Sequence, residues 1–78
     1  MTKVNILSPE WNRSLEVEAI FLPGSEGQFE VLDGHAPIIS TLTKGAIIWR
    51  TEGKEESLQI SGGVARLDRG VMDICVEI

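Results

Sequence analysis

The sequence holds one cysteine, one histidine, no tyrosine and only four aromatic residues in 78. A lone cysteine, Cys75, makes no internal disulfide and no thiolate zinc cage. A lone histidine, His35, has no second imidazole with which to hold a metal. Long apolar runs are also missing, the longest being Ala19-Ile20-Phe21-Leu22 and Ala46-Ile47-Ile48-Trp49. A membrane-spanning helix needs about 20 apolar residues, so neither run is one. Met1-Thr2-Lys3-Val4-Asn5 leads directly into strand-like sequence, without the apolar block of a signal peptide, so the chain reads as a cytosolic type. Basic residues are in deficit too, with seven Lys and Arg against twelve Asp and Glu, a net charge of −5. Nucleic acids and anionic lipids call for a basic face, and both are poor partners for this chain.

What is present is regular. Turn signals stand at Ser8-Pro9, Pro23-Gly24, Asp33-Gly34, Lys44-Gly45, Glu52-Gly53, Gly62-Gly63 and Arg69-Gly70. That spacing is the rhythm of a sandwich or barrel of short strands. No segment sustains the i, i+3, i+4, i+7 apolar pattern of a helix. Alternation supports the all-β reading: Val4 and Ile6 oppose Lys3 and Asn5, and Leu58 and Ile60 oppose Ser57, Gln59 and Ser61. Leu15, Val17, Ala19 and Phe21 share a face opposite Glu16 and Glu18, and Met72, Ile74, Val76 and Ile78 oppose Asp73, Cys75 and Glu77. One domain over residues 1–78 follows, with a folded accessible area of roughly 4,700 Å² from its 8.6 kDa mass.

Some apolar residues break the alternation. Ile20 and Leu22 fall on the side of Glu16 and Glu18, and the pairs Ile38-Ile39 and Ile47-Ile48 each point one residue outward. Two readings stand: an apolar outer patch that contacts another protein, or β-branched residues merely tolerated on a strand surface.

Catalytic patterns are weak. Ser25, Asp33 and His35 could be imagined as a triad, but triads are defined by geometry, and a loop histidine that packs or hydrogen-bonds is the better reading. Gly24-Ser25-Glu26-Gly27 lacks the lysine and following helix of a phosphate-binding loop, and Glu26 would repel phosphate; it reads as a tight turn. Gly62-Gly63 reads as a bulge or a close approach of another backbone. The acidic pairs Glu16/Glu18 and Glu55/Glu56 read as solvated faces, and Trp11 and Trp49 as core or rim packing. No catalytic residue, cofactor or metal ligand is assigned.

Two motifs go further. Gly24-Ser25-Glu26-Gly27, a short strand, and then Gly34-His35-Ala36-Pro37-Ile38-Ile39 resemble a signature of the epsilon subunit of F-type ATP synthase. Ile60-Ser61-Gly62-Gly63-Val64 with Arg69-Gly70-Val71, and the opening Val4-Asn5-Ile6-Leu7-Ser8-Pro9-Glu10, are similar to later and earlier parts of the same family. The resemblance implies a flattened β-sandwich of about ten short strands in two sheets. It also implies a non-catalytic rotor part on the cytoplasmic side of the bacterial inner membrane. There it would bind the gamma subunit and rest on the c-ring, so that proton or sodium flow drives ATP synthesis.

By the same resemblance, Ser8, His35, Ile38 and Ser40 belong to the gamma contact and Glu26 and Gln28 to the c-ring contact, while Gly24, Gly27, Gly34, Gly62 and Gly63 shape turns. The family often has a carboxylate where Gln28 stands, so an amide would serve there. The family's C-terminal helical hairpin has no counterpart in these 78 residues, and helix-based inhibition and nucleotide sensing are not assigned to them. The alternative from a different class is a stand-alone β-sandwich that binds a peptide or carbohydrate.

Overall fold

The alternating segments become nine β-strands and no helix in the computed structural model, which describes residues 1–78. In chain order these are β1 (Thr2–Leu7), β2 (Asn12–Val17), β3 (Ala19–Gly24), β4 (Gly27–Leu32) and β5 (Ile38–Leu42), then β6 (Gly45–Thr51), β7 (Lys54–Ile60), β8 (Gly62–Asp68) and β9 (Val71–Glu77). The strands form two layers. One runs β2-β1-β9-β8-β5 and the other β4-β3-β6-β7, and a single bridge, Gly24 to Leu42, joins them in one hydrogen-bonded path. Strand β1 lies parallel to β9, and every other pair is antiparallel. The count is nine where about ten were expected, and the sheets are halves of one curled sheet.

The two layers close over fifteen buried apolar residues. Val4 and Ile6 of β1, Ala65 and Leu67 of β8, and Met72, Ile74 and Val76 of β9 face Ile20 and Leu22 of β3, Val31 of β4, and Ile47 and Trp49 of β6. Each fully buried Ile or Leu contributes about 1.5–3 kcal/mol relative to exposure. The accessible area is 4791 Å², close to the value that mass alone implies.

Opposite the Gly24–Leu42 bridge, polar contacts hold β2 against β6 and β7. The Glu18 amide donates to the Arg50 carbonyl at 2.8 Å, and Thr51 Oγ1 donates to the Glu16 carbonyl at 2.9 Å. Arg13 sits 5.4 Å over the Trp49 ring and pairs with Glu56 at 3.3 Å.

Two expectations need correction. Ile20 and Leu22 are core residues, and Phe21 is only half-buried. The chain bends at Glu18 as it crosses from the first layer to the second, which resets the alternation between β2 and β3. Ile78 lies past the end of β9 and is 66% exposed, so it does not extend the inward row of Met72, Ile74 and Val76.

Two hairpins have the geometry their sequence implies. Glu52-Gly53 (φ 51° and 78°) and Arg69-Gly70 (φ 52° and 75°) are two-residue turns with both residues left-handed, which matches the twist of paired strands.

Candidate functional site

The β3–β4 hairpin turns at Ser25-Glu26, and its tip is fixed to β5. The Ser25 amide donates to the Thr41 carbonyl at 3.0 Å, and the Ser25 and Thr41 hydroxyls bond to each other. Gly24 is required here, because an added Cβ would lie 2.7 Å from the Gly27 carbonyl and 2.9 Å from the Phe29 ring. Gly27 (φ 128°) and Gly34 (φ 83°) take conformations that side chains disfavour. Beside the hairpin tip lies an open groove of about 500 Å³, bordered by Glu26, Gln28, Phe29, Ile38, Ile39 and Ser40.

The residues carried over from the resemblance divide accordingly. Glu26, Gln28, Ile38 and Ser40 meet at the groove, whereas Ser8 and His35 are not among its lining. Ser8 builds the β1–β2 turn: its hydroxyl donates to the Trp11 carbonyl at 2.9 Å and accepts the Trp11 amide at 3.1 Å. Ser40 donates to the Thr41 carbonyl at 3.1 Å. Ile38 is half-buried and packs on the core, and its neighbour Ile39 is the exposed one, at 74%. Gly63 is where another backbone comes close, since a Cβ there would collide with the Cys75 carbonyl; Gly62 has ordinary room.

The imagined triad is not assembled. His35 Nδ1 donates to the Ala36 carbonyl at 2.7 Å, Asp33 pairs with the N-terminal ammonium at 3.5 Å, and Ser25 is engaged with Thr41. No group of three or more His, Cys, Asp or Glu side chains converges as a metal site.

A feature that the sequence left unassembled lies on the outside of the β2-β1-β9-β8-β5 layer. Leu7 pairs with Cys75, Cys75 with Val64, and Val64 with Thr41, which makes one outward row across four strands. All four residues are exposed. The adjacent row runs Asn5, Asp73, Arg66 and Ile39, with Asn5 bonded to Asp73 at 2.9 Å. Leu7, Val64 and Ile39 thus form an uncovered apolar surface flanked by polar groups, the arrangement of a protein contact. The only advance signal was that each is out of phase with the inward row of its own strand, which becomes a patch once the register of four strands is known.

Charge is segregated as well. Glu16, Glu18, Glu26, Glu30 and Asp33 are the only charged residues between positions 14 and 43, and outside that span seven acids balance seven bases. The whole net charge of −5 therefore lies in the segment that contains the β3–β4 hairpin. Glu26 and Glu30 are exposed and take part in no ion pair.

Fold and surface together define a small β-sandwich with one uncovered apolar face and one acidic hairpin. All residues, 1–78, match the family model described as ATP synthase, delta/epsilon chain, beta-sandwich domain, and the chain belongs to that family. Curated relatives include the ATP synthase epsilon chains of Wolinella succinogenes (35% identical, covering 99% of this chain and 60% of that one) and Helicobacter pylori strain Shi470 (35%, covering 99% and 63%). The chain thus spans about 60% of the length of these relatives. A chain in the cryo-EM structure of the Euglena gracilis mitochondrial ATP synthase, OSCP/F1/c-ring, superposes with a TM-score of 0.87 at 30% identity, over 94% of this chain and 48% of that one. A chain in the central stalk and c-ring structure of the Tetrahymena thermophila mitochondrial enzyme superposes at 0.84 with 13% identity, over 97% and 63%, and shares the fold.

Proposed function

We propose that this domain is a non-catalytic coupling part of the ATP synthase rotor, peripheral to the membrane on its cytoplasmic side. It binds the gamma subunit and rests on the c-ring, so that ion-driven rotation reaches the catalytic head. The observation that carries the reading is the uncovered apolar surface of Leu7, Val64 and Ile39 on a chain of this family. Ser8 follows Leu7 directly and borders this surface at the β1–β2 turn, whereas Ser40, paired with the buried Ala65, points to the other side of β5. A stable contact buries about 800 Å² on each partner, roughly a sixth of the 4791 Å² surface.

The acidic hairpin supports the second contact. Glu26 stands at the hairpin tip and Gln28 is the second residue of β4, where a carboxylate and an amide can accept hydrogen bonds from a polar loop. Long-range attraction of a basic loop by Glu26, Glu30 and Asp33 speeds docking and weakens with salt.

The test is size-exclusion chromatography with light scattering on this chain mixed with the gamma subunit of its own complex. A one-to-one complex is expected, and Ile39→Asp combined with Val64→Asp, both on exposed positions, should dissolve it while leaving the fold intact. Separate elution of the unaltered chain at micromolar concentration would count against the reading.

A further inference from the structure

The two proposed contacts lie on different layers. Leu7, Val64 and Ile39 belong to β2-β1-β9-β8-β5, whereas the hairpin with Glu26 and Gln28 belongs to β4-β3-β6-β7. Force that passes between the contacts has to cross from one layer to the other. On the hairpin's side the layers meet at the single Gly24–Leu42 bridge. Two backbone bonds make it: the Ser25 amide to the Thr41 carbonyl at 3.0 Å, and the Thr43 amide to the Pro23 carbonyl at 2.8 Å.

Two side chains reinforce this bridge. The Ser25 hydroxyl donates to the Thr41 carbonyl at 3.2 Å and also bonds to the Thr41 hydroxyl. A serine hydroxyl has one proton, so with that proton on the carbonyl the Thr41 hydroxyl is the donor to Ser25 Oγ. No other side-chain hydrogen bond joins the hairpin to β5. Thr41 also ends the outward row of Leu7, Cys75 and Val64, so the hairpin is fastened to the contact face itself.

The tip needs such a fastening. Ser25 and Glu26 stand between Gly24 and Gly27, and Gly27 has φ 128°, so the tip's own backbone does little to resist bending. Apolar burial holds the layers together but is non-directional. Hydrogen bonds weaken steeply when bent, so at this corner the Ser25–Thr41 set is what opposes sliding of one layer over the other.

We propose that the Ser25–Thr41 hydroxyl pair is the joint between the two contacts. Ser25 and Thr41 are positioning residues that hold Glu26 and Gln28 in fixed relation to the gamma-contact face, so that both contacts turn as one body. This inference rests on the two contacts proposed above and adds the link between them.

The test follows amide exchange in the full chain, then function in the assembled synthase. Ser25→Ala removes both hydroxyl bonds, and the Thr43 amide should then exchange about three- to tenfold faster, with the β8 and β9 amides unchanged. Thr41→Val removes one of the bonds and should have a smaller effect. Adding it to Ser25→Ala should change nothing further, because the two act through one contact. Ser25→Thr keeps a hydroxyl and should restore slow exchange. In membrane vesicles carrying the synthase, Ser25→Ala should lose ion transport relative to ATP hydrolysed, and Ser25→Thr should recover it. Gamma titration of Ser25→Ala should match that of the unaltered chain.

An unchanged Thr43 amide in Ser25→Ala overturns the joint and leaves both contacts standing. So does faster exchange throughout β8 and β9, which would mark a general loss of stability. A loosened seam with full ion transport per ATP also overturns it. Failure of the unaltered chain to bind gamma overturns the proposed function, and the joint with it.

Discussion

The two outer faces of the sandwich both carry apolar residues and treat them differently. On the β2-β1-β9-β8-β5 layer, Ile39 is 74% exposed, Val64 43% and Leu7 36%, with the Cys75 thiol between Leu7 and Val64. On the β4-β3-β6-β7 layer, Phe21 and Ile48 point outward but are half-buried, in a cross-strand row with Glu30 and Ser57. Only Leu32 stands exposed among the large apolar residues of that layer. An outward isoleucine alone therefore marks nothing. Continuity across strands without cover marks a contact, because it leaves apolar area that only a partner can remove from water.

The largest effect expected is on binding. Ile39→Asp with Val64→Asp should lower affinity for gamma by roughly a hundredfold or more, since both sit on the uncovered face. Their free-chain unfolding curve should hardly move, because exposed substitutions cost little. Ile48→Asp on the other face should do the reverse: gamma titration unchanged, and stability down by about 1–3 kcal/mol by denaturant melt. Equal effects of the two changes on binding would erase the distinction between the faces.

A pair of glycines sharpens the picture of what holds the contact face in shape. Gly63→Ala would push a methyl group into the Cys75 carbonyl, and about 2–3 kcal/mol of stability should be lost. Gly62→Ala, whose nearest neighbour would be the Leu42 carbonyl at 3.6 Å, should change stability by less than about 1 kcal/mol. Urea unfolding of the two variants side by side checks this.

Arg13 ties the layers together away from the contact face. Its side chain is half exposed in its pair with Glu56, so screening leaves that pair worth little, and Arg13→Ala should cost about 1 kcal/mol, mostly from the Trp49 stacking. The smallest effect is a gain. Glu52 occupies a left-handed position (φ 51°) where asparagine is preferred, and Glu52→Asn should stabilise by a few tenths of a kcal/mol, read as a small rise in Tm.

Much of this was legible in the chain. Strict alternation in β1 and β9 made their inward rows readable, because each strand keeps one parity from end to end. Ile20 and Leu22 were misplaced because nothing local to Glu18 announces that the chain changes layers there, and a one-residue break inverts every later side chain. Of the adjacent isoleucines, sequence could not say which one faces out; the Ile38–Leu67 pairing with β8 decides it. The glycines at 24, 27, 34 and 63 were legible because backbone geometry demands them, whereas Gly62 only looked similar. The apolar surface of Leu7, Val64 and Ile39 draws on three strands distant in sequence, and no local pattern joins them.

Cys75 offers the most direct test of the contact face. It is the sole cysteine, it is exposed, and it lies between Leu7 and Val64. The rate of its reaction with a soluble maleimide should fall about tenfold or more when the chain is bound to gamma, as burial in an interface removes reagent access. An unchanged rate in a proven complex would place gamma elsewhere and contradict the assignment of this face.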